Sequence, residues 1–212
     1  MKNNYCTIYL VRHGRTDWNT KGLIQGNTDT NINSEGKAQA LELAKELKHL
    51  KFDRVFSSDL LRAKRTAEII AKEHKLIVDT EKALRELEFG IFEGKHWAKL
   101  GEEIDRAITS LSDKERYSYK HHPSMESDEE LMSRFLTFLR EIAVVNAGKN
   151  VLVVTHGGPM RVLLTRFGIV DKKIYFIEIA NLAWVKLESD GVDFFIKETK
   201  GIDLKRKRAI NH

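Results

Sequence analysis

The sequence predicts an α/β fold: a mainly parallel central sheet covered by helices on both faces, an α/β/α sandwich of three layers, with some antiparallel pairing near the C-terminus. Three observations predict it. Early in the chain, short apolar runs rich in β-formers alternate with longer stretches whose apolar residues recur at helical spacing. Two runs, Cys6 to Val11 and Val151 to Val154, lead directly into His13-Gly14 and Thr155-His156-Gly157. The final runs join through Ser189-Asp190-Gly191, a hairpin signal.

The elements follow in order. Cys6 to Val11 is a buried strand that ends at Arg12-His13-Gly14, a turn in which Gly14 supplies backbone freedom. Thr16 to Asn33, with Gly22 and Gly26, reads as a long loop, and long ordered loops are often functional. Ser34 caps a helix reaching about Leu50, with Ala40, Leu43, Ala44 and Leu47 on its inner stripe. Arg54 to Phe56 is a strand. Ser57-Ser58-Asp59 starts a helix to about His74, and Leu76 to Val78 is the next strand. Residues 84 to 94 form an acidic, Gly-containing loop. Trp97 to about Leu111 is helical, and Ser112 to Ser124 is a charged connection. Ser127 and Glu130 form a capping box ahead of Leu131, Phe135, Leu139 and Ile142. Pro159 suits the first turn of a helix running to about Phe167. Phe176 to Ile179, Ala183 to Leu187 and Val192 to Ile196 are the closing strands.

At 212 residues the chain suits one domain, 1–204, followed by a basic solvated tail, 205–212. The 42% hydrophobic and 32% charged content is that of a globular protein and excludes a disordered or fibrous one. Lys205-Arg206-Lys207-Arg208 reads as a frayed terminus, so no nucleic-acid partner is expected. The net charge of +5 suits steering of phosphorylated substrates. Cys6 is the one cysteine, which excludes an intramolecular disulfide and leaves it a small core residue. No apolar run is long enough for a secretory signal or a membrane span, so a cytoplasmic enzyme with no membrane partner is expected.

The two strand-His-Gly units carry the chemistry. On neighbouring parallel strands they bring His13 and His156 together at one sheet edge, where α/β proteins bind ligands. Arg12 adds a planar fork matched to phosphate oxygens, and a neutral imidazole is a nucleophile. Leu10 to Asn19 resembles the signature of the histidine phosphatase superfamily, which includes the cofactor-dependent phosphoglycerate mutases. Gly22 to Asp29, Ser57 to Ala67, Leu84 to Gly94 and Val153 to Gly158 resemble its further motifs in the same order.

The resemblance implies His13 as nucleophile, Arg12 and Arg62 as phosphoryl clamp, His156 as second histidine and Glu86 as general acid. Asn19, Thr16, Gln25, Gly26 and Gly157 are its expected phosphate-pocket residues. Arg65, three residues after Arg62, is the rival clamp; Glu88 and Glu93 rival Glu86, with a structural role expected for Glu93. The chain departs from the family at Arg15, often Glu there, and at Met125-Glu126-Ser127, where many members have Gly-Glu-Ser. No His-x-His, H-E-x-x-H or Walker-type motif is present, so neither a metal nor another cofactor is expected.

Three readings compete. The first is a metal-independent phosphomonoesterase that hydrolyses a small phosphorylated metabolite through a phosphohistidine. The second is mutase-type phosphoryl transfer. The mutase branch has a longer, basic insertion after the acid loop that clamps a second anion. Here Lys95 to Ser124 is short, and its basic residues are interspersed with acids, which favours hydrolysis. The third is a non-catalytic module that binds a phosphorylated ligand; the presence of every expected core residue argues against it.

Overall fold

The computed structural model describes residues 4–170 and 177–207. β1 (Cys6–Arg12) leads through a short helix α1 (Asp17–Thr20) to α2 (Ser34–Leu47). Next come β2 (Arg54–Ser57), α3 (Leu61–His74) and β3 (Val78–Thr80). Helices α4 (Trp97–Ile108), α5 (Asp113–Ser118) and α6 (Asp128–Val145) precede β4 (Asn150–Thr155) and α7 (Gly157–Arg166). A hairpin of β5 (Ile177–Ser189) and β6 (Phe194–Lys207) closes the described chain.

The sheet runs in the order β3-β2-β4-β1-β5-β6. The pairs β3/β2, β2/β4 and β4/β1 are parallel, while β1/β5 and β5/β6 are antiparallel. Strand periodicity builds the three layers. Tyr9, Val11, Leu152, Val154 and Trp184 face a core filled by Leu43, Ala44 and Leu47 of α2 and Ala63, Ala67 and Ile70 of α3. Ile8, Leu10, Val151, Val153, Val185 and Leu187 face the opposite core with Leu131, Phe135 and Leu139 of α6 and Met160 and Leu163 of α7. Cys6 is buried in this second core, and burial, with Asp53 nearby, pushes its thiol up to about 11.

Several boundaries differ from expectation for identifiable reasons. Asn33, not Ser34, caps α2, its side chain accepting from Gly36 N. Ser57 completes β2 and Ser58 Oγ accepts from Leu60 N, which delays α3 to Leu61. Lys75 ends α3 with φ +56, and β3 starts only at Val78, two residues after the sequence places it. The loop after β1 contains α1, closed by a Thr16/Asn19 capping box. The connection from Ser112 contains α5, whose capping box pairs Ser112 with Glu115. The box at Ser127 forms as expected, and Pro159 sits in the first turn of α7. The two expected strands around Ala180 to Leu182 are one irregular strand, β5, and the last strand extends to Lys207. Phe176 and the tail residues from Arg208 onward lie outside the described residues. No helix among the described residues is long and apolar enough to cross a membrane.

Candidate active site at two neighbouring strand ends

Arg12 stands opposite Thr155 in the β1/β4 register, so the next residue of each strand is a histidine. His13 N donates to Thr155 O at 2.9 Å, and the rings of His13 and His156 are 5.2 Å apart between centroids. After β1 the chain enters the layer of α2; after β4 it enters the opposite layer, with α7. Neighbouring strands whose connections part in this way open a crevice at their carboxyl ends. A cavity of about 320 Å³ occupies it, lined by Arg12, His13, Asn19, Gln25, Gly26, Arg62, Glu86 and Gly157. His156 and Thr16, both fully buried, are not part of the lining.

His13 is 2% exposed and its Nδ1 lies 2.8 Å from Gly14 O. A carbonyl can only accept, so Nδ1 carries the proton and Nε2 keeps its lone pair. Burial and the positive charges of Arg62 and Arg12 hold His13 well below the usual imidazole value. His156 is held low by burial, then by Arg62 and His13. Both rings are thus neutral at neutral pH. Gly14 serves here by its small size, not by positive φ: a Cβ would sit 2.7 Å from Gly36 O.

Arg62 is the second residue of α3, on the helix's inner face, and is fully buried. Its Nη1 donates to Thr28 O at 2.9 Å and its Nη2 to Gly26 O at 2.6 Å. Nε is buried without a hydrogen-bond partner, as are both ring nitrogens of His156. Buried polar atoms are normally satisfied, so Arg62 Nε and the protonated nitrogen of His156 mark a place for an acceptor. Burial lowers the Arg62 guanidinium to about 10, still cationic at neutral pH. Arg12 Nη1 donates to Ile179 O. Arg65, by contrast, is half-exposed and paired with Glu68 at 2.7 Å, away from the cavity.

Thr16 serves the two amides rather than the cavity. Its hydroxyl lies 3.1 Å from Asn19 Oδ1 and 3.0 Å from Gln25 Oε1. Asn19 Oδ1 also accepts from Thr16 N and Asn181 Nδ2, and Gln25 Oε1 from Thr30 Oγ1. With both carbonyl oxygens engaged, the amide NH2 groups of Asn19 and Gln25 are the ends available to an anion. At Gly26, φ is +51 and a Cβ would collide with the Glu93 carboxylate. Glu93 accepts from Asn27 N, Thr28 N and Thr28 Oγ1, which is the structural role expected of it.

Glu86 Oε1 accepts from Leu87 N and Gly158 N, each at 2.9 Å. Oε2 makes neither of these contacts. Arg134 of α6 fixes the Glu86 backbone: it donates to Ala83 O, Arg85 O and Glu86 O and pairs with Glu126. The Met125-Glu126-Ser127 departure therefore keeps the carboxylate that anchors Arg134, while Met125 fills the core. Glu88 is exposed and meets Glu126 through its backbone alone: its N–H donates to Glu126 Oε2 at 3.3 Å and its carbonyl accepts from Glu126 N at 3.0 Å.

Residues 8–200 match the model of the histidine phosphatase superfamily, branch 1. The chain belongs to this superfamily. It is 39% identical to phosphoglycerate mutase-like protein 4 of Arabidopsis thaliana, over 77% of this chain and 71% of that protein. It is 33% identical to the uncharacterized phosphatase PhoE of Bacillus subtilis, over 85% of this chain and 87% of that protein. A phosphoglycerate mutase crystal structure from Bacillus anthracis superposes with a TM-score of 0.77 at 28% identity, covering 94% of each chain.

Beyond the family motifs, the cavity includes residues that sequence reasoning misses. Asn181 donates to His13 O at 3.0 Å from an irregularity in β5, next to Leu182 at φ +59. The polar break between the two apolar runs was its available signal. Trp97, Ile104 and Arg161 also line the cavity. Arg161 carries no local motif, since it enters through its pairing with Asp128 across two helices, at 2.6 and 3.1 Å. Among the described residues no group of three or more His, Cys, Asp or Glu side chains is placed to hold a metal.

The buried neutral histidines set an expected pH dependence of stability. Folded His13 and His156 stay neutral where the unfolded residues protonate, below about pH 6.5. The unfolded chain then binds more protons, so stability falls with falling pH, by up to about 1.4 kcal/mol per pH unit for each ring. Denaturant titrations from pH 7.5 to 5 should show this loss, and the His13→Asn/His156→Asn double variant should show a shallower one. Equal slopes would contradict the buried neutral state.

Proposed function

We propose that this protein hydrolyses phosphomonoesters of small metabolites, without a metal, through a phosphohistidine on His13. One observation carries the reading: His13, whose Nδ1 lies 2.8 Å from Gly14 O so that Nε2 keeps its lone pair, lines a cavity that also presents Arg12, Arg62 and Glu86. Phosphoryl transfer needs an in-line nucleophile, positive charge at the phosphoryl oxygens and a proton for the leaving oxygen. Nε2 attacks phosphorus while Arg12, Arg62, Asn19 and Gln25 hold the oxygens and His156 donates one N–H. The P–O bond breaks, and Glu86 gives its proton to the departing alcohol. The Glu86 carboxylate then takes a proton from water as that water attacks phosphorus, which releases phosphate and restores His13.

The segment after the acid loop supports hydrolysis over mutase transfer. Of Lys95 to Ser124, Trp97 and Ile104 line the cavity, while Lys95, His96, Lys99, Arg106, Lys114, Arg116 and Lys120 do not. Superfamily relatives named as phosphatase and as mutase-like leave both reactions open by kinship alone. A cytoplasmic location belongs to the same reading, and its support is the absence of paired cysteines in the chain.

Product analysis tests the proposal. With a radiolabelled alkyl phosphate, inorganic phosphate should appear in equal amount to the free alcohol, with EDTA present or absent. Added 3-phosphoglycerate should take up no label. Label transferred to that acceptor would establish the mutase reading, and activity lost to EDTA and restored by a divalent ion would overturn metal independence.

A further inference from the structure

We infer that the substrate carries a second anionic group, a carboxylate or a second phosphate, on its alcohol portion, and that Arg15 and Gln39 hold it. The inference rests on the hydrolase reading and assigns a subsite on the α2 side of the cavity.

Arg15 stands where the family often has Glu, so the charge at this position is reversed. It follows His13 by two residues, which keeps the two Cα atoms within about 7 Å, and both residues line the same cavity. Arg12 and Arg62 are committed to the phosphoryl oxygens, and Arg161 is matched by the Asp128 carboxylate at 2.6 and 3.1 Å. Arg15 is the remaining arginine of the lining among the described residues. Its partner Glu35 is not part of the lining, and the two side chains are 42% and 51% exposed. A surface pair of this kind is worth little, so it holds Arg15 only loosely.

Glu35 also takes only Nη1. Nε is buried without a hydrogen-bond partner, and no described residue accepts from Nη2. Nε and Nη2 form one edge of the guanidinium fork, and that edge matches two oxygens of a carboxylate or phosphate. Gln39 of α2 adds a further donor. Its Oε1 accepts from Arg15 N at 3.2 Å, so its NH2 group is the end available, and Gln39 lines the cavity too. The lining carboxylates leave this subsite open: Glu86 Oε1 is bonded to Leu87 N and Gly158 N, and Glu178 is exposed, where solvent screens its charge. No basic residue of Lys95 to Ser124 lines the cavity. The second anion is therefore held from the loop after β1 and from α2, in the layer opposite α4.

Three esters of matched length test the inference: 2-carboxyethyl phosphate, its uncharged amide 2-carbamoylethyl phosphate, and propane-1,3-diyl bisphosphate. The expected kcat/KM for one or both anionic esters exceeds that for the amide by about tenfold or more, the effect of one charge-assisted contact. The better of the two identifies the second group as carboxylate or phosphate. Arg15→Gln should bring this ratio toward one, chiefly through KM, and Arg15→Glu should carry it below one. Glu35→Gln keeps the guanidinium and releases it from its ion pair, so the ratio should hold or rise. Turnover of the amide equal to that of both anionic esters, or a ratio unmoved by both Arg15 variants, would overturn the inference. If the amide labels His13 while neither anionic ester gains over it, this inference alone fails. If no ester labels His13, the hydrolase reading fails and takes this inference with it.

Discussion

Glu86→Gln is expected to slow hydrolysis of an alkyl phosphate by about 10² to 10⁴, the usual contribution of proton donation to a poor leaving group. An alkoxide does not depart without a proton, whereas p-nitrophenolate, with a conjugate-acid pKa of about 7, leaves as the anion. Turnover of p-nitrophenyl phosphate should therefore fall far less, provided phosphoenzyme formation limits both reactions, which single-turnover kinetics establishes. Glutamine is the informative replacement. Its carbonyl oxygen can still accept from Leu87 N and Gly158 N, so the loop keeps its anchor while the proton is lost. Glu88→Gln and Glu93→Gln serve as controls, since Glu88 is exposed and Glu93 is spent on the backbone of Asn27 and Thr28. An equal loss for both esters would assign Glu86 to binding instead.

Arg62→Ala is expected to lower kcat/KM by about 10² to 10³, the effect of removing one preorganised charge-stabilising donor. Arg65→Ala should change it by no more than about twofold, because that side chain is a surface partner of Glu68. Arg62→Lys should not restore activity. The guanidinium spans Gly26 O and Thr28 O with separate nitrogens and still has Nε to offer, and an ammonium cannot reproduce that planar spacing. Comparable losses from Arg62→Ala and Arg65→Ala would mean that the clamp is not on the buried face of α3.

The layers were legible because each core strand alternates cleanly. Ile8 and Leu10 serve one core and Tyr9 and Val11 the other, a pattern visible as soon as the run is read as a strand. His13 and His156 were legible for a related reason: an apolar strand that stops at His-Gly marks the sheet edge where parallel neighbours bring their ends together. Helix starts were less legible. Ser34 and Asn33 are both good caps, and only tertiary position decides between them. Ser112 with Glu115 is a local capping signal, but the short α5 behind it lacks an apolar stripe to announce a helix. Thr16 has the residue type of a phosphate donor, yet burial turns its hydroxyl to Asn19 and Gln25. Asn181, Arg134 and Arg161 act through contacts distant in sequence, to His13 O, Glu86 O and Asp128, and no local pattern encodes such contacts.

The central claim is that His13 Nε2 becomes phosphorylated. The direct measurement is rapid acid-free quenching after brief incubation with a ³²P-labelled alkyl phosphate, followed by peptide mapping. A label that is stable to base, lost in acid and located on the peptide carrying His13 is the expected result, with none on His13→Ala. Equal labelling of His13→Ala, or turnover with no labelled protein under conditions where the intermediate should accumulate, would contradict it.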